Sequence, residues 1–397
     1  MNAANNNPIS HEAGRSISAQ DFDTQTAVAP RQASEGQHNL SLVCNSLVLA
    51  DPEEAPNAEW DGAMMQLFDW LNLGIMRIPQ ERSQTLRQRA RWPWGNRTAP
   101  EAPVFAPWLS HSCLAFQDPR GVRELFPARW VASYLWDPCA SRSGRSAAID
   151  VMLVSPHPAA CRLDEDACAS LPGNQLMQDM IGAVHAEGRS KVAIIGYERS
   201  RSVTGRQLLA IKSGLASTAL ELEVLTIEET LPRLAANPAC WDAIIVLPEL
   251  RSLVFALLAE LTGIRGPWPM AWHTRGLAII CGETAGPAPT NGPLDAALLV
   301  QALALAARGG TNAFAAQRLS EGWARLRDRG LVTPTRGSPA PYAQQVTDAD
   351  VIARLCDGPE PAGRPVAGWK AMTALPARPA PDQTGAPAAR LALVTGR

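Results

Sequence analysis

The stretch that decides the fold of this 397-residue chain is NPACWDAIIVLPELRSLVFALLAELTG, residues 237–263. Its short apolar run at 243–247 predicts a buried strand, and the apolar spacing of residues 251–262 predicts a helix. Further apolar runs at 149–154, 191–195, 220–225 and 277–280 alternate with helical stretches at 175–186, 205–217, 227–236, 294–307, 313–329 and 348–356. This alternation predicts a layered α/β fold.

Composition restricts the classes of protein to consider. The chain is 46% hydrophobic, which is enough to bury a sizeable core, and its net charge of −2 gives no strong field to attract nucleic acid or anionic lipid. No apolar run reaches the length of a membrane span, and the polar N-terminus lacks the pattern of a secretory signal. We therefore expect a cytoplasmic protein without nucleic-acid or membrane partners. The eight cysteines form no CxxC pair, so we expect reduced thiols rather than a zinc site.

The two ends of the chain differ from its middle. Residues 1–38 are rich in Asn, Ser, Gln and Ala without an apolar period and predict a disordered leader. Residues 358–397 carry many prolines and alanines, which predict a tail. The folded domain is therefore expected at 39–357. Its first part predicts strand pieces at 40–44 and 47–49, a helix at 60–73, a loop at 92–107 and a short strand at 113–116.

Several features recur in the order of a known family. Asn237-Pro238 and Trp241-Asp242 precede the apolar strand, Thr262-Gly263 ends the next helix, and Gly286-Pro287-Ala288-Pro289 precedes a long helix rich in Ala and Leu. In order and spacing, although no motif is intact, this resembles the isocitrate/isopropylmalate dehydrogenase family of β-decarboxylating dehydrogenases. The resemblance implies a three-layer α/β/α isopropylmalate dehydrogenase-like fold with two lobes. Lobe one would comprise about 39–124 plus 260–357, and lobe two about 125–259.

The family's chemistry depends on a metal. Its members oxidise a 2-hydroxy acid with NAD or NADP and then decarboxylate it, and aspartates hold the divalent cation that stabilises the enolate. The resemblance places two of those aspartates at Leu253 and Leu257, whose side chains have no lone pair for Mg²⁺ or Mn²⁺. We therefore expect neither a metal site nor catalytic residues. The two leucines share a helix face, which we expect to have become part of the packing.

Parts of the family's cleft have counterparts in this chain. Of five such counterparts, two residues match substrate-binding arginines of the family, two fall at or beside its proton-transfer lysine, and one matches a carboxylate that the other subunit supplies. These substrate-cleft residues are Arg120, Arg129, Glu198, Arg199 and Glu228. The counterparts of the cofactor loop are Gly286, Ala288 and Pro289. NAD is thus the one cofactor for which the resemblance leaves room, although Gly and Pro at these positions also form ordinary turns.

The resemblance predicts a catalytically degenerate homologue with a regulatory, scaffolding or ligand-sensing role. Some heteromeric isocitrate dehydrogenases contain regulatory subunits without catalysis, so we expect a homodimer or a heteromer with an active relative. One alternative is an active NAD-dependent oxidoreductase whose metal ligands have moved to Glu228, Glu249 and Glu260. In a second alternative, the region that corresponds to the family's substrate cleft binds a carboxylate or phosphate ligand through an arginine clamp, and the protein acts as a sensor. That clamp would comprise Arg120, Arg123, Arg199 and Arg201.

Overall fold

A mixed ten-stranded sheet forms the centre of the molecule. The computed structural model describes residues 38–43, 58–78, 103–116, 128–139, 141–142, 145–146, 148–163, 169–212, 220–274, 278–287, 292–309, 312–336, 343–358 and 368–373. The strands in these ranges are β1 (His38–Val43), β2 (Leu73–Ile78), β3 (Val104–Ser112), β4 (Trp130–Asp137), β5 (Ser141–Arg142), β6 (Arg145–Ser146), β7 (Ile149–Pro156), β8 (Cys161–Leu163), β9 (Ser170–Pro172), β10 (Lys191–Gly196), β11 (Glu221–Thr226), β12 (Ala243–Val246), β13 (Trp268–His273), β14 (Ala278–Thr284), β15 (Leu331–Val332) and β16 (Gln344–Gln345).

The order of strands in this sheet is β11-β10-β12-β7-β4-β13-β14-β3-β1-β2, and the other six strands form three small two-stranded sheets. Four strands at one end, β11 to β7, are mutually parallel, and so are the four at the other end, β14 to β2. β4 and β13 join these halves by antiparallel pairing. Parallel strands need helical crossovers, and the helices between them provide these connections.

Helices cover both faces of the sheet. They are α1 (Ala58–Leu71), α2 (Asn174–Ala186), α3 (Glu198–Lys212), α4 (Ile227–Ala236), α5 (Pro248–Thr262), α6 (Ala296–Gly309), α7 (Ala313–Asp328), α8 (Asp348–Cys356) and the single turn α9 (Lys370–Thr373). On β7, Met152 and Val154 belong to a core shared with α1, α2, α6, α7 and α8, whereas Val151 and Leu153 face a second core under α4 and α5. The fold is therefore a three-layer α/β/α sandwich, as predicted. The division into two lobes stays a prediction.

Most predicted elements are confirmed to within a few residues, but α3 begins at Glu198, seven residues before the predicted start at 205, and two other predictions are wrong. The predicted strand at 113–116 is a 3-10 helix, Cys113–Phe116, and the C-terminal end of the predicted loop at 92–107 belongs to β3. The predicted strand piece at 47–49 lies outside the described residues. No helix in the described ranges combines the length and apolarity needed to cross a membrane.

A short segment inside the predicted tail packs on the sheet. The indole of Trp369 is buried and stacks on Trp136 at 4.9 Å between ring centroids. The backbone N–H of Lys370 donates to Asp150 Oδ2 at 2.6 Å, and its ammonium group pairs with Asp242. The folded part thus reaches beyond the predicted boundary at residue 357.

Candidate functional site

Helix α5 is the element to which the resemblance assigns the metal ligands. It begins after Leu247 with Pro248 in its first turn, and it ends at Gly263, which adopts a left-handed φ of 68°. Arg251, Phe255 and Leu258 are buried, at a spacing of three or four residues that directs one side of the helix to the sheet. The orientation of α5 therefore determines which of its side chains face the sheet and which face away from it.

The packing predicted for the two leucines is wrong for Leu253. Its side chain is 47% exposed, whereas Leu257 is half-buried against the second core. Successive residues turn by about 100° on an α-helix, so Leu253 lies about 200° around the axis from Arg251. Because Arg251 and Leu258 face the sheet, Leu253 faces away from it.

A fully buried ion pair lies where α5 meets the sheet. Arg251 Nη2 lies 2.6 Å from Glu283 Oε2 on β14, and its Nε lies 3.2 Å from Oε1 of the same carboxylate. Arg251 Nη2 also donates to Ser133 Oγ on β4 at 2.7 Å, and Ser133 in turn donates to Glu283. Arg251 and Ser133 belong to predicted lobe two and Glu283 to lobe one, so this network joins the two predicted lobes.

Aromatic and imidazole rings surround the ion pair. The guanidinium carbon of Arg251 lies 5.1 Å from the ring centroid of Phe116, which stacks on Trp272 at 5.5 Å. The imidazoles of His111 and His157 lie 5.1 and 6.1 Å from Trp272, measured between ring centroids. Large side chains therefore pack beside the ion pair.

The titratable groups of this cluster are unsuited to acid–base or nucleophilic chemistry near pH 7. Burial lowers the pKa of both His111 and His157 to about 4, so both imidazoles are neutral. His157 Nδ1 accepts the N–H of Ala159 at 3.2 Å, which places its proton on Nε2. Burial, with a contribution from Glu283, raises the pKa of the Cys113 thiol to about 12 and makes it a poor nucleophile.

The residues present do not fit a divalent cation at the predicted positions. Leu253 and Leu257 offer no oxygen, and the Glu283 carboxylate on the sheet side of α5 is already paired with a guanidinium cation. Within the described ranges, no three His, Cys, Asp or Glu side chains converge as a metal-binding group. Of the three carboxylates considered as relocated ligands, Glu228 and Glu260 are exposed, and Glu249 accepts the backbone N–H of Ser170 at 2.8 Å.

Most of the described cleft residues have local partners of their own, and their assembly into one site stays a prediction. Arg129 pairs with Asp179 on α2, with 2.5 Å between Nη1 and Oδ2, and Asp179 was not among the predicted residues. Arg120 and Arg123 lie outside the described residues. The proposed arginine clamp can therefore be compared with the structure only at Arg199 and Arg201.

A separate charged surface lies at the ends of β10 and β11. Arg201 Nη1 is 3.2 Å from Glu229 Oε1 and 3.5 Å from Glu198 Oε2. The guanidinium of Arg199 lies 5.2 Å from the ring centroid of Tyr197, and Glu228 is exposed on α4. Arg201 is thus an exposed cation between two carboxylates, an arrangement that contributes little to stability.

Of the three residues predicted for the cofactor loop, the structure describes only Gly286. Its carbonyl accepts the Thr284 hydroxyl at 2.8 Å, and a Cβ added at this glycine would meet no atom within 4 Å. Ala288 and Pro289 lie outside the described residues. NAD binding therefore stays a prediction.

Sequence reasoning missed the residues of the buried network. Arg251 stands among apolar residues of α5 and is the only basic residue of that helix, and Glu283 interrupts the apolar strand AIICGET. A charged residue inside an apolar run signals a buried pair, because an isolated buried charge is strongly unfavourable. That signal was available, although it does not identify the partner.

Two solved structures share this architecture. The TT0538 protein from Thermus thermophilus superposes with a TM-score of 0.56 at 12% identity, covering 85% of this chain and 72% of that one. Isocitrate dehydrogenase from Methylococcus capsulatus gives a TM-score of 0.52 at 12% identity, covering 81% of this chain and 99% of the enzyme. The fold is therefore isocitrate dehydrogenase-like; at this identity the similarity concerns the fold alone. No protein-family profile and no curated protein sequence matches the chain.

Proposed function

We propose that this chain is a catalytically degenerate relative of the isocitrate and isopropylmalate dehydrogenases, and that it acts as a non-catalytic regulatory or scaffolding protein. The observation that carries the proposal is the buried ion pair between Arg251 and Glu283. It lies on the helix to which the resemblance assigns metal ligands, and it spans the two predicted lobes.

Electrostatics supports this proposal. Arg251 is fully buried on the side of α5 that meets the sheet, whereas Leu253 faces away from the sheet. A guanidinium stays protonated at all relevant pH values and presents no lone pair to a metal. A fixed positive charge in a poorly screened interior disfavours a divalent cation on this sheet-facing side of α5. Glu283 offsets this charge only by using its own lone pairs on Arg251 and Ser133.

Partners and location follow from the resemblance. We propose a homodimer, or a heteromer with an active dehydrogenase, in the cytoplasm, with no metal requirement. The ligand-sensing role and residual NAD binding are variants of the same proposal. Each requires a cleft or loop residue, such as Arg120 or Pro289, that lies outside the described part of the chain.

The test is an oxidation assay on the purified chain. Reduction of NAD⁺ or NADP⁺ is followed at the absorbance of the reduced nicotinamide, with Mn²⁺ or Mg²⁺ and a panel of 2-hydroxy acids that includes isocitrate and 3-isopropylmalate. The isocitrate dehydrogenase of Methylococcus capsulatus, which shares the fold, serves as positive control. We expect no turnover above the rate without protein. Metal-dependent turnover that survives repurification would instead establish the active oxidoreductase.

A further inference from the structure

A second candidate site lies on helix α7, away from the ion pair on α5. It is a surface groove of about 490 Å³, within the range of small-molecule sites. Six of its eight lining residues lie on α7 and one, Trp70, lies on α1; those that the argument uses on α7 are Phe314, Arg318, Glu321, Gly322 and Arg325. The groove combines aromatic rings with arginines, which is the composition of a site for an anion with an apolar body.

The spacing of the α7 residues places them along one side of the helix. Phe314, Arg318, Gly322 and Arg325 follow one another at intervals of four, four and three residues. The phenyl ring of Phe314 is 44% exposed, and Gly322 places no side chain between the two arginines. Seven residues separate those arginines, which corresponds to about 10 Å along the helix axis. This length accommodates a two-ring ligand.

Arg318 fixes the wall of the groove. Its guanidinium carbon lies 3.9 Å from the ring centroid of Trp70, and its Nη1 donates to the Trp70 carbonyl oxygen at 3.0 Å. The stacking and the hydrogen bond together hold α1 against α7. Arg318 is therefore a structural part of the groove, and the aromatic wall of Trp70 is held in place before any ligand arrives.

Arg325 is the residue suited to bind the anion. Its Nη2 lies 3.6 Å from Glu321 Oε2, and both side chains are partly exposed. An exposed pair at this distance is weak, so a ligand carboxylate or phosphate can replace Glu321 with a bidentate hydrogen-bonded pair. Glu321 then competes with the ligand for the same guanidinium.

We infer that the groove binds a small aromatic anion, with its carboxylate or phosphate on Arg325 and its ring against Trp70 and Phe314. Aromatic rings of a ligand and a protein pack favourably edge-to-face or offset, which favours a planar body over an aliphatic one. This site is separate from α5, and it does not depend on the proposed loss of catalysis.

The experiment uses the full chain and 2-naphthoate as probe, with isothermal titration calorimetry as readout. We expect binding at one site per chain, weakening by about tenfold in Arg325→Gln and strengthening by about threefold in Glu321→Gln. The opposite signs separate a ligand-binding role from a structural one, because a groove that merely collapsed would weaken binding in both variants. Phe314→Ala, which removes the exposed ring, should also weaken binding.

Matched controls come from an exposed ion pair elsewhere on the surface. Arg233 and Glu223 form such a pair at 2.8 Å, so Arg233→Gln and Glu223→Gln should leave naphthoate binding unchanged. Uncharged 2-naphthamide and acetate should both bind more weakly than 2-naphthoate. The inference is overturned if naphthoate shows no binding at about 1 mM. Equal affinities for all three probes, or equal effects of the groove and control variants, would also overturn it.

Discussion

Replacing Glu283 by glutamine should destabilise the fold more than a typical substitution. The change keeps the shape of the side chain but removes the charge that offsets Arg251, and both side chains are completely buried. The guanidinium would keep neutral contacts to Ser133 Oγ at 2.7 Å and to the Leu153 carbonyl oxygen at 3.4 Å. It would lose both charge-assisted contacts to the carboxylate.

The expected magnitude follows from the burial of the pair. Breaking a buried pair by removing one partner typically costs about 3–5 kcal/mol, because the remaining charge is left without compensation. Removing the whole network behaves differently. Arg251→Met, Glu283→Leu and Ser133→Ala together leave no orphaned polar group from this network, so the triple variant should lie within about 2 kcal/mol of the wild type.

The assay is urea unfolding followed by circular dichroism, with the free energy of unfolding obtained from the midpoint and slope. The reasoning is refuted if Glu283→Gln loses less than about 1 kcal/mol, which is the value of an exposed pair. It is equally refuted if the triple variant is as unstable as the single one. Either result would mean that the network does not hold α5 to the sheet.

Three further outcomes are expected. First, the pKa of His157 in the folded protein is about 4, below its usual 6.5, so the unfolded chain binds more protons between these two pH values. The free energy of unfolding should therefore fall as the pH drops from 6.5 towards 4. His157→Gln should remove up to about 3 kcal/mol of that loss, measured by urea unfolding at pH 7 and pH 4.5. Second, Leu253→Asp should cost only about 1 kcal/mol, whereas Leu258→Asp on the buried side should abolish cooperative unfolding; similar effects would contradict the orientation of α5. Third, partial burial raises the pKa of Asp242, but hydrogen bonds from the Lys370 ammonium and two backbone N–H groups outweigh it and hold this pKa at about 2, below 3.8; the resulting stability is present above about pH 4 and lost between about pH 4 and pH 2. Lys370→Met should therefore lower the free energy of unfolding at pH 7 by about 1 kcal/mol, a value discounted because the pair is partly exposed, and should reduce the loss in acid. Unchanged unfolding at pH 7 and pH 3 would count against the docking of the segment that contains Lys370.

The four parallel strands β11, β10, β12 and β7 and most helices could be predicted because their signals are local. β10, β11 and β12 are short apolar runs between helical stretches, and their parallel pairing follows from the intervening helices. β4 was missed although it is central. Its sequence WVASYLWD is buried throughout, so it shows no alternation, and two polar residues interrupt it. Their partners lie 118 residues away for Ser133 and 190 for Asp137.

The candidate site was less predictable than the fold. The sequence shows directly that positions 253 and 257 carry leucine and no carboxylate. It does not show how α5 is rotated about its axis, because that depends on which side of the helix meets β14 and β4. Cys113–Phe116 shows the same limit. Its four apolar letters predict a strand, yet the chain forms a 3-10 helix there, and the Phe116 ring lies near Arg251. Tertiary contacts decided both cases.

Calorimetric titration of the purified chain with Mn²⁺, with and without isocitrate, tests the central claim most directly. Because positions 253 and 257 carry leucines without oxygen ligands, and Glu283 is already paired with Arg251, the protein should lack a Mn²⁺ site tighter than about 1 mM. The isocitrate dehydrogenase of Methylococcus capsulatus, measured in parallel, verifies that the titration detects a metal site. Stoichiometric Mn²⁺ binding at micromolar concentration, lost in a variant of an acidic residue near α5, would contradict the account.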